Sequence, residues 1–150
     1  MKLCKLLPML TFAAPVALAE GVITVNKDPN CGCCNAWINH MASKGYKLQA
    51  RNVANLNEIK ADYGVDSTVS SCHTAVTQQG YVIEGHVPAR YVEQFLNNPI
   101  EGAIGLSVPG MPVGSPGMEM GDRFQPYDVV LIMENGKHRG FAKVNEPNEQ

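Results

Sequence analysis

The 150-residue sequence lacks three features that would assign it to a specific class of protein. It has no apolar stretch of about 20 residues, the length that a membrane-spanning helix needs. It has no cluster of lysine and arginine, which excludes the basic surface that nucleic acids and anionic membranes require. It also has no internal repeat. With a formal net charge of −2, the composition indicates a soluble globular chain, and its length is typical of one domain with one core.

The first 19 residues have the pattern of a secretory signal peptide. Two lysines precede a mostly apolar run over residues 6–18, and Ala17-Leu18-Ala19 has the small residues of a cleavage site. The run is too short to anchor the chain in a membrane. Cleavage after Ala19 would remove Cys4 and both lysines, so the charge would change from −2 to −4. We therefore expect export, with residues 20–150 as the mature domain and no membrane span in it.

Three thiols stand within four residues at Cys31-Gly-Cys-Cys34, where a helix is predicted to begin. The thiolate is both the nucleophile and the soft-metal ligand, and a helix N-terminus favours it. A single structural disulfide would need one of these cysteines and a distant partner. The motif therefore indicates thiol redox chemistry or thiolate metal binding.

Periodicity, caps and turn residues predict alternating strands and helices. Gly45 is predicted to end the first helix, Asn55 with Glu58 to open the second, and Pro88 to begin the third. The predicted elements are a strand at 22–25, a helix at 33–44, a strand at 46–53, a helix at 55–63, strands at 75–77 and 81–84, and a helix from 88 to before 99. This order, β-α-β-α-β-β-α, indicates a mixed α/β sheet with flanking crossover helices.

Residues 106–126 are rich in glycine and proline and contain Met111, Met118 and Met120. Repeated glycine and proline exclude regular structure, and a loop of this length in a compact domain is usually functional or disordered. A C-terminal β-hairpin is predicted at 128–144, with a type I′ turn at Asn135-Gly136. The tail after Asn145 is predicted to be frayed.

The element order resembles that of the thioredoxin-like fold, with Cys31 and Cys34 at the spacing of its redox pair. Over nearly all of the mature chain, four motifs resemble the exported CopG-type copper-resistance family, built on domain of unknown function 411. They are Cys31-Gly-Cys-Cys34, Ser71-Cys-His-Thr74, Glu84-Gly-His-Val-Pro-Ala89 and Val108-Pro-Gly-Met-Pro-Val-Gly-Ser-Pro-Gly-Met-Glu119. The resemblance implies a thioredoxin-like fold, a Cys-x-Cys-Cys copper site and a role in periplasmic copper handling.

A departure from ordinary thioredoxin-like oxidoreductases precedes the strand at 75–77. Those proteins have a proline there, whereas this chain has Cys72-His73-Thr74. The resemblance thus implies that Cys72 lies beside Cys31, Cys33 and Cys34. Four converging thiolates favour metal binding over a redox disulfide.

Soft thiolates select Cu(I), zinc or iron–sulfur clusters. The common ferredoxin spacings are absent, and the adjacent Cys33 and Cys34 are better suited to bridging several ions than to binding one. We predict copper, as Cu(I) in a polynuclear thiolate-bridged site, with zinc as the alternative.

Further candidate ligands flank the cysteines. His73 can bind copper through its imidazole, with a hydrogen bond to the backbone as the alternative. Met111 and Met118 are candidate thioether ligands or a copper relay, because a Gly/Pro-rich loop has little core to fill. His86 is predicted to orient the turn before the third helix rather than to bind metal.

The predicted function is copper binding in copper resistance, either as sequestration or as interconversion of Cu(I) and Cu(II). One alternative is a periplasmic thiol–disulfide oxidoreductase that uses Cys31 and Cys34. Another is a copper chaperone that delivers its metal to a second periplasmic copper-handling protein. Copper ions are the predicted partner if the protein binds copper in resistance or delivers it as a chaperone.

Overall fold

A computed structural model describes residues 21–150, so the predicted signal peptide lies outside the described residues. Seven strands and three α-helices occur in this range. They are β1 (Ile23–Lys27), α1 (Gly32–Ser43), β2 (Leu48–Asn52), α2 (Leu56–Asp62), β3 (His73–Val76), β4 (Val82–Glu84), α3 (Ala89–Asn97), β5 (Ala103–Ser107), β6 (Tyr127–Met133) and β7 (His138–Val144).

The strands form one mixed sheet in the order β2-β1-β3-β4-β5-β6-β7. β1 is parallel to β2 and antiparallel to β3, which is antiparallel to β4. These four strands, with α1, α2 and α3, make the thioredoxin-like unit, and the predicted fold class is confirmed. β5 is parallel to β4, and β6 and β7 extend the sheet as an antiparallel hairpin.

Helix α1 forms because its apolar residues recur on one face. Cys34, Trp37 and Met41 are buried at spacings of three and four residues. The helix stops at Gly45, whose φ of +93° suits glycine, and the Gly45 N–H donates to the carbonyl of Ala42. The predicted cap is confirmed, and the cysteine motif occupies the opposite end of the helix.

Helix α2 begins at the predicted cap. The Asn55 Oδ1 accepts from the N–H of Asn57 at 3.2 Å, and the Asn55 Nδ2 donates to the Glu58 carboxylate at 2.8 Å. This pairing differs from a capping box, because Glu58 is engaged by the Asn55 side chain. The helix turns Lys60 into the interior, where only 6% of the residue is exposed.

The main core lies between one face of the sheet and helices α1 and α3. Trp37 and Phe95 are fully buried there with Ile83 of β4. A smaller cluster of Val65, Val69, Val82 and Ile132 forms a second core. Since Val82 and Ile83 are successive residues of one strand, the two clusters lie on opposite faces of the sheet.

The structure corrects the predicted start of the loop. Ala103–Ser107 is a strand, so the Gly/Pro/Met-rich segment begins at Val108 rather than at residue 106. A register shift between Ala103 and Gly105 breaks the alternation by which a strand is recognised. Gly105 is needed here because a Cβ would lie 2.0 Å from the carbonyl oxygen of Val82.

Two predictions near the C-terminus are wrong. Among the described residues only glycines have positive φ, so Asn135 cannot occupy a type I′ turn. Instead, the Gly136 N–H donates to the Met133 carbonyl and Gly136 has a φ of +72°, which is a type I turn followed by a bulge. The tail is not frayed either. Pro147–Glu149 forms a 3-10 helix, and the Gln150 side chain donates to the carbonyl of Gly114.

Within residues 21–150, no helix is both long enough and apolar enough to cross a membrane.

Candidate metal centre

Four cysteines from two segments meet at the N-terminus of α1. Cys31 is the N-cap of the helix, Cys33 and Cys34 lie in its first turn, and Cys72 directly precedes β3. β1 leads into α1 and pairs with β3, so the sheet places Cys72 below the helix terminus. The four sulfur atoms all lie within 4.8 Å of one another. We refer to these four residues as the cysteine cluster.

The distances within the cluster differ by pair. The Sγ of Cys72 lies 3.6 Å from that of Cys34 and 3.9 Å from that of Cys33, while Cys31 and Cys33 are 3.5 Å apart. Cys31 and Cys34 are joined as a disulfide, and Cys33 and Cys72 are free thiols. All four sulfurs can bind a metal ion only after this disulfide is reduced.

His86 contacts the cluster from the turn between β4 and α3. Its Nε2 lies 2.9 Å from the Cys72 Sγ, and its Nδ1 lies 2.7 Å from the carbonyl oxygen of Pro116. A carbonyl only accepts, so Nδ1 carries the proton of the neutral ring and Nε2 presents a lone pair to Cys72. The prediction that His86 only orients a turn missed this contact, for which the sequence carries no local signal.

His73 lies on the other side of Cys72 and is fully buried. Its Nδ1 is 3.3 Å from the Cys72 Sγ, and its ring centroid is 4.5 Å from that of Trp37 and 5.2 Å from that of His86. Within residues 21–150, no group makes a well-formed hydrogen bond to the buried Nε2 of His73. The ring is therefore held mainly by packing.

Burial determines the protonation of these groups. It lowers the pKa of His86 and, together with the neighbouring His86 ring, places the pKa of His73 well below its ordinary value of 6.5. Burial and the nearby Cys33 raise the pKa of the Cys72 thiol to about 12. Without metal, the site thus holds neutral imidazoles and a protonated Cys72, whose proton a metal ion must displace.

Within residues 21–150, two overlapping groups of side chains have the spacing to hold a metal ion. One is the cysteine cluster, and the other is Cys72 with His73 and His86. Cys72 belongs to both groups. The combined donor set of four sulfurs and two imidazoles suits soft and borderline metals such as copper and zinc.

The Gly/Pro/Met-rich segment, residues 108–126, packs directly on the site, and we refer to it below as the methionine segment. Gly117 has a φ of +87°, and a Cβ there would lie 2.7 Å from both the Cys33 carbonyl oxygen and the Trp37 amide nitrogen. Near the start of the segment, the Gly110 carbonyl accepts from the Ser71 hydroxyl. The segment therefore contacts α1 at Cys33, the imidazole of His86 and the residue before Cys72.

Two of the three methionines of this segment are more exposed to solvent than the cysteines and imidazoles of the site. Met111 and Met120 are 53% and 51% exposed, and Met118, which follows Gly117, is half-buried. Exposed thioethers beside a buried site are better placed to meet incoming metal than to complete the buried donor set. The roles predicted for Met111 and Met118 remain predictions.

The described chain is thus a thioredoxin-like α/β domain with clustered cysteines and imidazoles at the start of α1. Residues 69–118 match the model of a family described as protein of unknown function, DUF411. Two solved structures of copper resistance protein CopG, Form 2 and Form 1, are each 41% identical to the chain with a TM-score of 0.77. They cover 82% and 83% of this chain and 97% and 98% of their own.

No curated protein matches the chain. At this identity and coverage, the chain belongs to the CopG-type copper-resistance family, as the sequence motifs predicted. The DUF411 match includes Cys72, both imidazoles and the methionine segment as far as Met118, whereas Cys31, Cys33 and Cys34 precede it.

Proposed function

We propose that this protein binds copper, as Cu(I), through the reduced cysteine cluster, and that it acts in copper resistance after export to the periplasm. The observation that carries the proposal is the convergence of four sulfur atoms within 4.8 Å. The CopG relatives, which are copper resistance proteins, support copper as the metal. The signal-like pattern of residues 1–19 supports export.

The donor set fits Cu(I) better than a hard cation. Thiolates and thioethers are soft ligands, and a neutral imidazole is a good ligand for copper. His86 already has the required tautomer, because Pro116 holds its Nδ1 proton. The adjacent Cys33 and Cys34 favour bridging between ions, so we expect more than one copper ion per chain, with His73 as a further ligand.

The oxidation state of the cluster sets its capacity for copper. In the oxidised form, Cys33 and Cys72 are the free thiols of the site. Two electrons and two protons, supplied by a dithiol that is itself oxidised to a disulfide, convert the Cys31–Cys34 disulfide to two thiols, which completes the donor set. In the reverse direction, the two thiolates return to the disulfide and supply the two electrons that reduce two Cu(II) ions to Cu(I).

A titration of the mature chain with Cu(I) under anaerobic conditions, against a chromophoric chelator, tests this function. We expect the fully reduced chain to bind more than one ion tightly and the disulfide form to bind fewer. Cys33→Ser should lower the stoichiometry, because it removes a bridging thiolate. Equal binding by the reduced and oxidised forms would refute a role for Cys31 and Cys34 as ligands.

A second candidate function is thiol–disulfide exchange by Cys31 and Cys34. The observation that favours it is their disulfide at the N-terminus of α1, where the helix dipole stabilises a thiolate. The Sγ of Cys72 lies 3.6 Å from that of Cys34 and adds a further sulfur to the pair, which favours metal binding over a redox disulfide. We therefore place this function second.

A further inference from the structure

A buried ion pair lies behind the cysteine cluster and has no part in metal binding as proposed above. Lys60 of α2 and Glu84 of β4 are 6% and 0% exposed, and the Lys60 Nζ donates to the Glu84 carboxylate. Taking two charges out of water is costly, and apolar residues of similar size often replace such pairs without loss of stability. Stability alone therefore does not explain this pair, and its contacts with neighbouring residues indicate its role.

The Glu84 carboxylate holds both ends of the segment that carries Cys72 and His73. One oxygen accepts from the N–H of Ser71 at 2.6 Å, and the other accepts from the hydroxyl of Thr74 at 2.7 Å. Ser71 directly precedes Cys72, and Thr74 directly follows His73. One side chain thus fixes the segment on either side of two site residues.

Lys60 completes this arrangement. Its Nζ donates to the same carboxylate oxygen that binds Ser71, and it also donates to the Thr74 hydroxyl oxygen at 3.1 Å. Three donors converge on two carboxylate oxygens, which only an ionised carboxyl group can satisfy. An amide in place of Glu84 would keep the shape but turn one acceptor into a donor and leave Lys60 without a counter-ion.

The backbone of Glu84 joins the same region to the rest of the site. Its carbonyl accepts from the N–H of Val108, where the methionine segment begins, and the next residue, Gly85, donates to the carbonyl of His73. His86 follows directly. The strand end at Glu84 therefore sets the relative positions of Cys72, His73 and His86.

We propose that Glu84 is a positioning residue for the metal centre, with Lys60 as its buried counter-ion, and that the pair holds Cys72 and His73 in register with the cysteines of α1. The inference rests on the proposed function for its metal readout. It makes a separate prediction about Cys72 in the absence of metal.

The decisive variant is Lys60→Met with Glu84→Met, which removes both charges and the carboxylate acceptors for Ser71 and Thr74 at similar volume, so that no buried charge is left unpaired. We expect it to unfold near the wild-type midpoint but to bind Cu(I) about 10–100-fold more weakly, the usual effect of losing a residue that orients a ligand. Asp128→Asn, which breaks an exposed ion pair with Lys143, is the matched control and should match wild type.

The metal-free readout uses the disulfide form, in which Cys33 and Cys72 are free. Iodoacetamide labelling followed by peptide mass spectrometry gives the ratio of Cys72 to Cys33 alkylation. We expect this ratio to rise in the double variant, and to rise less in Thr74→Val, which keeps the ion pair and removes the two hydrogen bonds that the Thr74 hydroxyl makes with Glu84 and Lys60. If the double variant fails to fold, the alkylation ratio of Thr74→Val alone tests the inference.

The outcomes separate the two proposals. If wild type binds no Cu(I) but the alkylation ratio rises in the variants, the proposed function fails and the positioning role stands. If a folded double variant has wild-type Cu(I) affinity and a wild-type alkylation ratio, the pair only stabilises the fold and the inference is overturned. An unchanged ratio in Thr74→Val, where only that variant folds, overturns it equally.

Discussion

The Nε2 of His86 lies 2.9 Å from the Sγ of Cys72, while the Nδ1 of the same ring lies 2.7 Å from the carbonyl oxygen of Pro116. One imidazole therefore connects the methionine segment to the cysteine cluster. Because the carbonyl holds the proton on Nδ1, movement of the segment would allow that proton to shift to Nε2, the nitrogen that faces Cys72. The geometry of the segment and the chemistry of the site are coupled through this ring.

The first prediction concerns stability at low pH. Burial lowers the pKa of His73 and His86 in the folded chain, so below the ordinary value of 6.5 the unfolded chain binds more protons. The contribution of these two histidines to the free energy of unfolding is fully present above about pH 6.5. It falls as the pH is lowered toward their pKa values in the folded chain, by up to about 1.4 kcal/mol per pH unit for each histidine.

Urea unfolding of the metal-free protein at pH 7.5 and pH 5.5 measures this dependence. His86→Gln should reduce the difference between the two pH values, because one histidine no longer titrates. Burial raises the pKa of Glu84, so the contribution of Glu84 to stability changes with pH in the opposite direction. Glu84 is present in both proteins, so this contribution cancels in the comparison. Identical pH dependence in the variant and in wild type would contradict the assignment of a neutral His86.

The second prediction tests the close approach of the methionine segment to α1. Gly117→Ala should lower the free energy of unfolding, because φ is +87° and the Cβ would meet the Cys33 carbonyl oxygen at 2.7 Å. Gly121→Ala is the matched control in the same segment. Its φ is also positive, at +60°, but a Cβ there has nothing within 4 Å.

Backbone strain alone should cost about 1–2 kcal/mol in the control, and the clash should add about 1–3 kcal/mol in Gly117→Ala. Chemical denaturation measures both changes. An NMR signal from the His86 Nδ1 proton should shift in Gly117→Ala and stay in place in Gly121→Ala. Equal destabilisation of the two variants would show that the segment can move away from α1 at no cost.

The order of the elements was predictable because its signals are local. The buried stripe of α1, the Asn55 cap and the glycine stops all depend on residues within one or two turns of each other. β5 was missed because a bulge interrupts its alternation between Ala103 and Gly105. Local signals of this kind carry no information on register shifts or on the partner strand.

The candidate site was predictable only in part. Cys31, Cys33 and Cys34 stand within four residues of the sequence, and the family resemblance implied their approach to Cys72. The contact of His86 with Pro116 spans 30 residues, and the pairing of Lys60 with Glu84 spans 24. Such polar contacts depend on how the finished elements pack, so neither residue type nor spacing indicated them.

The third prediction separates the two candidate functions. A thiol–disulfide oxidoreductase should turn over a model disulfide whether or not copper is present, with a depressed thiol pKa at Cys31 or Cys34. We expect weak turnover that copper suppresses, because the metal would occupy the same sulfurs. In the apo protein, Cys72→Ser should change this turnover little, since the redox pair is intact. Rapid turnover that is insensitive to copper would reverse our ranking.

The last prediction concerns the exposed methionines. A thioether binds Cu(I) without losing a proton, whereas the Cys72 thiol, with a pKa of about 12, must be deprotonated first. Met111 is 53% exposed, and Met118 follows the glycine that packs on Cys33. If they receive copper before the buried thiols do, Met111→Leu with Met118→Leu should slow copper uptake and release.

Leucine and methionine have similar volumes, so the free energy of unfolding should change by less than about 1.5 kcal/mol. The number of copper ions bound at equilibrium should also stay the same, because the cysteine cluster sets it. The measurement is the rate of Cu(I) transfer to a competing chelator by stopped flow, with Met41→Leu, a buried core substitution in α1, as the control for packing effects. A transfer rate equal to that of wild type would exclude a relay through Met111 and Met118 and leave the methionine segment as a cover that holds His86 through Pro116.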